Sequence, residues 1–154
     1  IPLSILNGIN KKEINIYGNG TNIRDWIHVE DHVEALIMIA KEGMVGSRYC
    51  IGGNSEKTNI EVVKYICELL DHQMPQNEPH ENLIKFVQDR PGHDKRYSIN
   101  ALKLKKELGW FPKKNFKTGL RNTFLWYLNN SKWCKTINQK SGYQYERLGL
   151  KSFS

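Results

Sequence analysis

Residues 49–63 read Tyr49-Cys50-Ile51-Gly52-Gly53-Asn54-Ser55-Glu56-Lys57-Thr58-Asn59-Ile60-Glu61-Val62-Val63, and within them one periodicity gives way to another. Tyr49 to Ile51 is a short run that suits a strand, and it ends on two glycines, as a strand leaving a sheet does. Thr58 and Glu61 stand three apart, so hydroxyl and carboxylate can each satisfy an orphan backbone N–H at the start of a helix. Ile60, Val63, Ile66, Cys67 and Leu70 then recur on one helical face. A strand, a glycine turn and a capped amphipathic helix in one passage predict an α/β fold.

Upstream, Leu3, Leu6 and Ile9 mark a helical tail in residues 1–13, and Ile14 to Tyr17 alternates like a strand. Gly18-Asn19-Gly20 is an Asn-Gly turn that predicts a hairpin, with Ile23 to Val29 as the returning strand. A helix is expected from about Glu30 to Lys41, its stripe made of Val33, Leu36, Ile37 and Ala40, with Gly43 beyond its end. Downstream, His72 to Asn82 is polar, carries Pro75 and Pro79, and reads as a loop. Ile84 to Val87 reads as a strand. Ala101, Leu104 and Leu108 predict a short helix stopped by Gly109 and Pro112, and Phe116, Leu120, Phe124 and Tyr127 a longer one. With no repeat and no linker, residues 1–154 are expected to form a single compact unit.

The 154 residues are 39% hydrophobic and 25% charged, which excludes a disordered chain. Lys plus Arg outnumber Asp plus Glu by 23 to 16, a net charge of +7 that suits an anionic partner: nucleic acid, a lipid surface or a phosphorylated small molecule. Cys50, Cys67 and Cys134 form no CxxC pair, which argues against a zinc site or a disulfide framework and for buried free thiols. No apolar run approaches the roughly 18 residues of a membrane span. Ile1-Pro2-Leu3 has neither an initiator Met nor a signal pattern, so a cytoplasmic protein that begins partway through something is expected.

Several motifs could carry chemistry. His28-Val29-Glu30-Asp31-His32 invites a metal reading, but Val29 stands where the zinc-protease pattern needs Glu, and no metal is expected. Gly18-Asn19-Gly20 lacks the third glycine of a dinucleotide loop, since Ile23 occupies that position. Lys103, Lys105, Lys106, Lys113, Lys114 and Lys117 surround Trp110 and Phe111, yet the aromatics continue helical stripes as core residues do, so nucleic acid is not favoured. Asp89-Arg90-Pro91-Gly92-His93-Asp94-Lys95-Arg96-Tyr97 is richer. Pro91-Gly92 forces a turn after a strand, and that turn either aims Arg90 and His93 at a phosphate or is a surface loop of self-satisfied ion pairs. Arg24, in Ile23-Arg24-Asp25-Trp26, carries the same ambiguity.

Taken together these segments resemble the C-terminal half of an extended short-chain dehydrogenase/reductase that acts on nucleotide sugars. Tyr49 to Gly53, Asn59 to Val63, and Lys103 through Leu108-Gly109-Trp110-Phe111-Pro112 to Gly119 and Trp126-Tyr127 carry the general likeness. Three stretches are similar to the dTDP-glucose 4,6-dehydratase branch: Ile14 to Tyr17 with Arg24 to His32, Asp89 to Tyr97, and Lys140-Ser141-Gly142-Tyr143. Cys50 stands where the family more usually has Asn, and Asn15 where it commonly has Pro. The resemblance implies a small mixed sheet with several helices that binds substrate, with the Rossmann half not included. It implies that Arg24 and Arg90 clamp the diphosphate of dTDP-glucose and that Asn59 assists at the nucleotide. Asn15, Ile16 and Tyr17 would line the thymidine side, with Asp89, Arg90, Pro91, Gly92 and His93 closing over it. Tyr143 and Tyr145 cannot be aligned uniquely to a further site tyrosine. A UDP- or GDP-sugar dehydratase, epimerase or decarboxylase, or a binding module without turnover, are the other readings.

The family reaction uses bound NAD, a Tyr-x-x-x-Lys pair and an acidic couple. No tyrosine here has lysine four residues on, and no GxxGxxG occurs. The resemblance therefore implies that the NAD site and the catalytic groups belong to an N-terminal Rossmann half, that this chain is inert by itself, and that the full-length enzyme is a homodimer. Such a part, taken alone, would expose an apolar face.

Overall fold

Thr58 and Glu61 form the reciprocal cap that their spacing predicts. The Glu61 N–H donates to Thr58 Oγ1 at 3.2 Å, and the Thr58 N–H donates to Glu61 Oε2 at 2.8 Å. The computed structural model describes residues 1–141, so Gly142, Tyr143 and Tyr145 lie outside the described residues. The elements are α1 (Pro2–Ile9), β1 (Ile14–Tyr17), β2 (Ile23–Asp25), α2 (Val29–Glu42), β3 (Glu56–Thr58), α3 (Asn59–Gln73), a 3-10 turn (His80–Leu83), β4 (Ile84–Val87), α4 (Leu102–Leu108), α5 (Phe116–Asn129) and α6 (Ser131–Ser141). The fold is α/β. Backbone contacts group it into two compact units, residues 1–19, 63–93 and 123 onward in the first and 20–62 with 94–122 in the second.

In the first unit β1 and β4 lie parallel, Ile14 opposite Ile84 and Tyr17 opposite Val87. Ile14 and Ile16 point into a core with Ile5, Val63, Ile66, Cys67, Leu70 and Phe124, while Asn15 on the alternate face is exposed. Gly8 matters to this packing: a Cβ there would fall 2.2 Å from Leu70 Cδ1, inside a fully buried side chain. The loop expected over His72–Asn82 is partly ordered, since α3 runs on to Gln73 and a 3-10 turn holds the buried His80 against Asp71 at 2.5 Å. α6, which lacks a core stripe in the sequence, is fixed by the buried Cys134 and by Trp133 edge-on to Trp126 at 5.2 Å.

The hairpin expected at Gly18-Asn19-Gly20 does not form. The ladder of β1 goes to β4, and the Gly18 N–H extends it to the Val87 carbonyl at 2.9 Å. β2 pairs antiparallel with β3 instead, Ile23 opposite Thr58 and Asp25 opposite Glu56. The turn signal is local, whereas pairing is settled by which partner buries Ile14 and Ile16.

In the second unit Ala35, Leu104 and Trp110 form the core, with Ile27, Met38, Ile39, Tyr49, Ile51 and Leu108 packed on it. Tyr49 to Ile51 contributes those side chains without joining a strand ladder; the strand lies at β3, five residues later. Gly109 ends α4 in the left-handed region at φ +72°. The stripe expected to bury α2 is turned outward: Val33, Leu36 and Ile37 are exposed, and the helix packs through Ala35, whose small side chain allows close approach. The cysteines also divide. Cys67 and Cys134 are buried but Cys50 is exposed, and burial pushes the Cys67 thiol up to about 12.

Several carboxylates are held below their ordinary range. Thr58's backbone and hydroxyl hydrogen bonds do this to Glu61. Desolvation is the largest influence on Asp71 and raises it, but the ring and backbone hydrogen bonds of His80 together outweigh it and leave it lowered. A depressed carboxylate stabilises the fold above its unfolded pKa, and that contribution is lost as pH falls through the folded value. The urea midpoint should therefore be level above about pH 5 and fall steadily toward pH 3, as ordinary carboxylate values near 4 dictate. A midpoint unchanged down to pH 3 would contradict this assignment.

Candidate functional site

The parallel pairing of β1 and β4 brings both carboxyl ends to one edge, the place where open α/β sheets bind ligands. Tyr17 ends β1 there, and the turn at Asp89–His93 follows β4. The Asp89 carboxylate organises that turn. It accepts the Arg90 N–H at 2.8 Å and meets His93 Nδ1 at 2.6 Å. The His93 ring beside it, with the Arg90 N–H, holds the Asp89 carboxyl below its usual range. His93 in turn stands edge-on to the Tyr17 ring, 6.1 Å between centroids at 78°. Gly92 takes φ +67°, which a side chain would strain, and Gly18 takes φ +57° where a Cβ would meet Asp89 Oδ2 at 3.0 Å. Arg90 is exposed on this turn. Ile16 differs from its neighbours: its side chain is in the core, so only its backbone faces the edge.

Arg24 and Asn59 belong to the second unit. The guanidinium of Arg24 donates to the carbonyls of Ile23 at 2.6 Å and Asp94 at 3.0 Å and lies 4.5 Å over the Tyr97 ring. The segment carrying Tyr97 is stitched to β2 by the Ile23 N–H to the Lys95 carbonyl and the Tyr97 N–H to the Ile23 carbonyl. Tyr97 and Asp94 are thus partners of Arg24 that sequence reasoning passed over; their signal was their place in the same charged run as Arg90. Asn59 opens α3, its N–H on the Asn22 carbonyl at 3.0 Å.

Other candidates have structural duties. His28 caps α2, its Nδ1 accepting the Glu30 N–H at 3.3 Å. Asp25 accepts the N–H groups of Gly53 and Ser55. Arg96 grips Glu56 with both NH2 and Nε, so part of the 89–97 run is indeed self-satisfied. A cavity of about 830 Å³ in the second unit is lined by Gly52, Gly53, Ile99, Trp110 and Phe111 among others. The buried Trp110 Nε1 has no hydrogen-bond partner among the described residues, and none of the ten candidate residues lines the cavity. No helix among the described residues is long and apolar enough to cross a membrane.

A family model described as GDP-mannose 4,6 dehydratase matches residues 1–123. The chain belongs to that family. It is 50% identical over 153 residues to a dTDP-glucose 4,6-dehydratase of Neisseria meningitidis serogroup B, with 97% of this chain and 43% of that protein covered. It is 49% identical to one from Escherichia coli, covering 97% and 42%. Among solved structures it is similar to the dTDP-glucose 4,6-dehydratase of Bacillus anthracis in complex with NAD, with a TM-score of 0.78 and 44% identity over 88% of this chain and 41% of that one. A UDP-glucose 4-epimerase from Thermotoga maritima shares the fold at TM-score 0.72 and 23% identity, covering 84% and 39%. The chain thus spans about two-fifths of the length of the relatives it matches, in their C-terminal portion.

Proposed function

We propose that this chain is the substrate-binding part of a dTDP-glucose 4,6-dehydratase, converting dTDP-glucose to its 4-keto-6-deoxy product. The observation that carries the reading is identity near 50% along almost the whole chain to dehydratases of that name. NAD, held on a Rossmann half that this chain does not include, supplies a carrier that takes hydride from the sugar C4 and returns it to C6. The residues here bind and orient. Arg90 offers a planar fork of donors to the diphosphate from a turn that Asp89 has already set. Tyr17 and His93, their rings nearly at right angles, line the pyrimidine side, with Asn15 and the backbone at Ile16 beside them, and Pro91 and Gly92 shape the turn that covers it. Arg24, two of its donors fixed by the carbonyls of Ile23 and Asp94, directs the rest to phosphate, and Asn59 contacts the nucleotide.

The test is a chimaera in which residues 1–154 replace the matching portion of the Escherichia coli relative. It should form the 4-keto-6-deoxy product from dTDP-glucose and turn over UDP-glucose far more slowly, while the 154-residue chain alone should form none. A chimaera that melts cooperatively yet yields no product would overturn the reading, and a preference for UDP-glucose would move it to a sister enzyme.

A further inference from the structure

The cavity of about 830 Å³ in the second unit falls within the roughly 300–1,000 Å³ of small-molecule sites, and what its wall offers is one-sided. Trp110 lines it at 3% exposure, and its Nε1 has no hydrogen-bond partner among the described residues. A buried donor left unmade is costly, and folded proteins keep few of them. Asn100 and Asn115 also line the cavity. Their side-chain oxygens accept the Leu102 and Thr118 N–H groups at 2.9 Å each, which leaves the NH2 groups to donate. Of three lining lysines, Lys113 and Lys114 are held by Glu34 and Glu30 at 2.5 and 2.6 Å, while Lys105 has no ion-pair partner among the described residues. No lining residue among those described is acidic. Beside these donors the wall sets apolar side chains in water: Phe111 is 58%, Leu102 56% and Ile99 45% exposed.

We propose that this cavity binds a small organic anion: a carboxylate or phosphate carried on a flat apolar body. The anionic oxygens take the indole N–H of Trp110, the ammonium of Lys105 and the asparagine amides, and the body covers Ile99, Leu102 and Phe111. Other ligand classes fit the same wall less well. A cation meets an unpaired lysine and no carboxylate. A neutral apolar molecule leaves the indole donor unmade and desolvates Lys105 for no return. An inorganic anion leaves the apolar side chains wet, with none of the gain that covering them brings. A nucleic-acid strand needs a row of available cations, and two of the three lysines are already spent on glutamates. None of this draws on the nucleotide-sugar reading, so either can fail without the other.

Naphthoate and naphthyl phosphate are titrated into the isotope-labelled 154-residue chain while the Trp110 indole N–H signal is followed by NMR. Trp110→Phe assigns that signal; if the variant does not fold, Trp26→Phe, Trp126→Phe and Trp133→Phe assign it by elimination. At least one of the two anions should move it saturably and downfield, as a newly made hydrogen bond does, and the stronger of them tells carboxylate from phosphate. Inorganic phosphate and the neutral naphthalenemethanol should each bind far more weakly. Lys105→Gln, on the exposed side of α4, should weaken the bound anion about two- to fivefold, the range of a solvent-exposed charge pair. Lys106→Gln, its neighbour outside the cavity, should change nothing. Calorimetry on the chimaera should show the same binding and the same loss with Lys105→Gln, and it decides alone if the shorter chain does not fold. The proposal is overturned by a Trp110 signal that neither anion moves, by equal binding of the neutral probe or of inorganic phosphate, or by equal losses at positions 105 and 106. Binding that disappears in the chimaera overturns it too, since protein then fills the cavity.

Discussion

Arg90→Ala in the chimaera should raise the KM for dTDP-glucose about 10–100-fold, the loss expected of a charge-assisted contact worth about 1.5–3 kcal/mol. The guanidinium sits on a turn already set by Asp89, which holds the Arg90 N–H at 2.8 Å and His93 Nδ1 at 2.6 Å, so little ordering remains to offset the contact when the diphosphate arrives. The diphosphate is remote from the sugar carbons that react. Its binding is therefore felt alike in ground and transition states, and kcat should change little while KM rises. Arg90→Lys keeps the charge but loses the fork and should fall between the two. Circular dichroism should be unaltered in both variants, because Arg90 is exposed and its turn is organised by its neighbour's carboxylate. A KM within twofold of the parent would remove Arg90 from the site.

Which parts of this were legible in the sequence follows from how local each signal is. The cap at Thr58–Glu61, the buried face of α3 at Val63, Ile66, Cys67 and Leu70, and the stop at Gly109 depend on residues within one or two turns, and all are found as read. Strand pairing is not local. Gly18-Asn19-Gly20 carries every mark of a hairpin turn, yet Tyr17 and Val87, seventy residues apart, are the partners. α2 misled for a different reason: it has two apolar faces, periodicity reports both, and nothing in a single sequence says which meets this chain's own core. In the candidate site, the charged turn at 89–93 stood out in the sequence after a strand, but the division of labour within its run did not. Asp89 proves to be the organiser, while Arg96, equally basic on paper, is consumed by Glu56.

Asp25→Ala should lower the unfolding free energy by about 2–4 kcal/mol, since two N–H groups lose a charged acceptor at once. Asp25 Oδ2 takes the Gly53 N–H at 2.9 Å and Oδ1 the Ser55 N–H at 2.7 Å. Those amides cannot drift to other partners, because the two backbones cross at close range. A Cβ on Gly53 would lie 1.9 Å from the Trp26 carbonyl oxygen, and the Trp26 N–H is itself spent on the Ser55 carbonyl at 3.1 Å. The Trp26 indole N–H completes the seam at the Lys57 carbonyl, one residue before the cap that starts α3. Asp25 therefore fixes the approach to that helix, and Asp25→Asn, which can still accept at one oxygen, should cost roughly half as much. Urea denaturation of the 154-residue chain measures both; a loss under about 0.5 kcal/mol, the scale of an ordinary surface substitution, would deny the seam its role. The same variant separates structure from chemistry in the chimaera. An aspartate next to Arg24 invites a catalytic reading, and a catalytic acid would lose kcat with stability intact, whereas this carboxylate, occupied by two backbone amides, should lose stability with kcat intact under conditions where the variant remains folded.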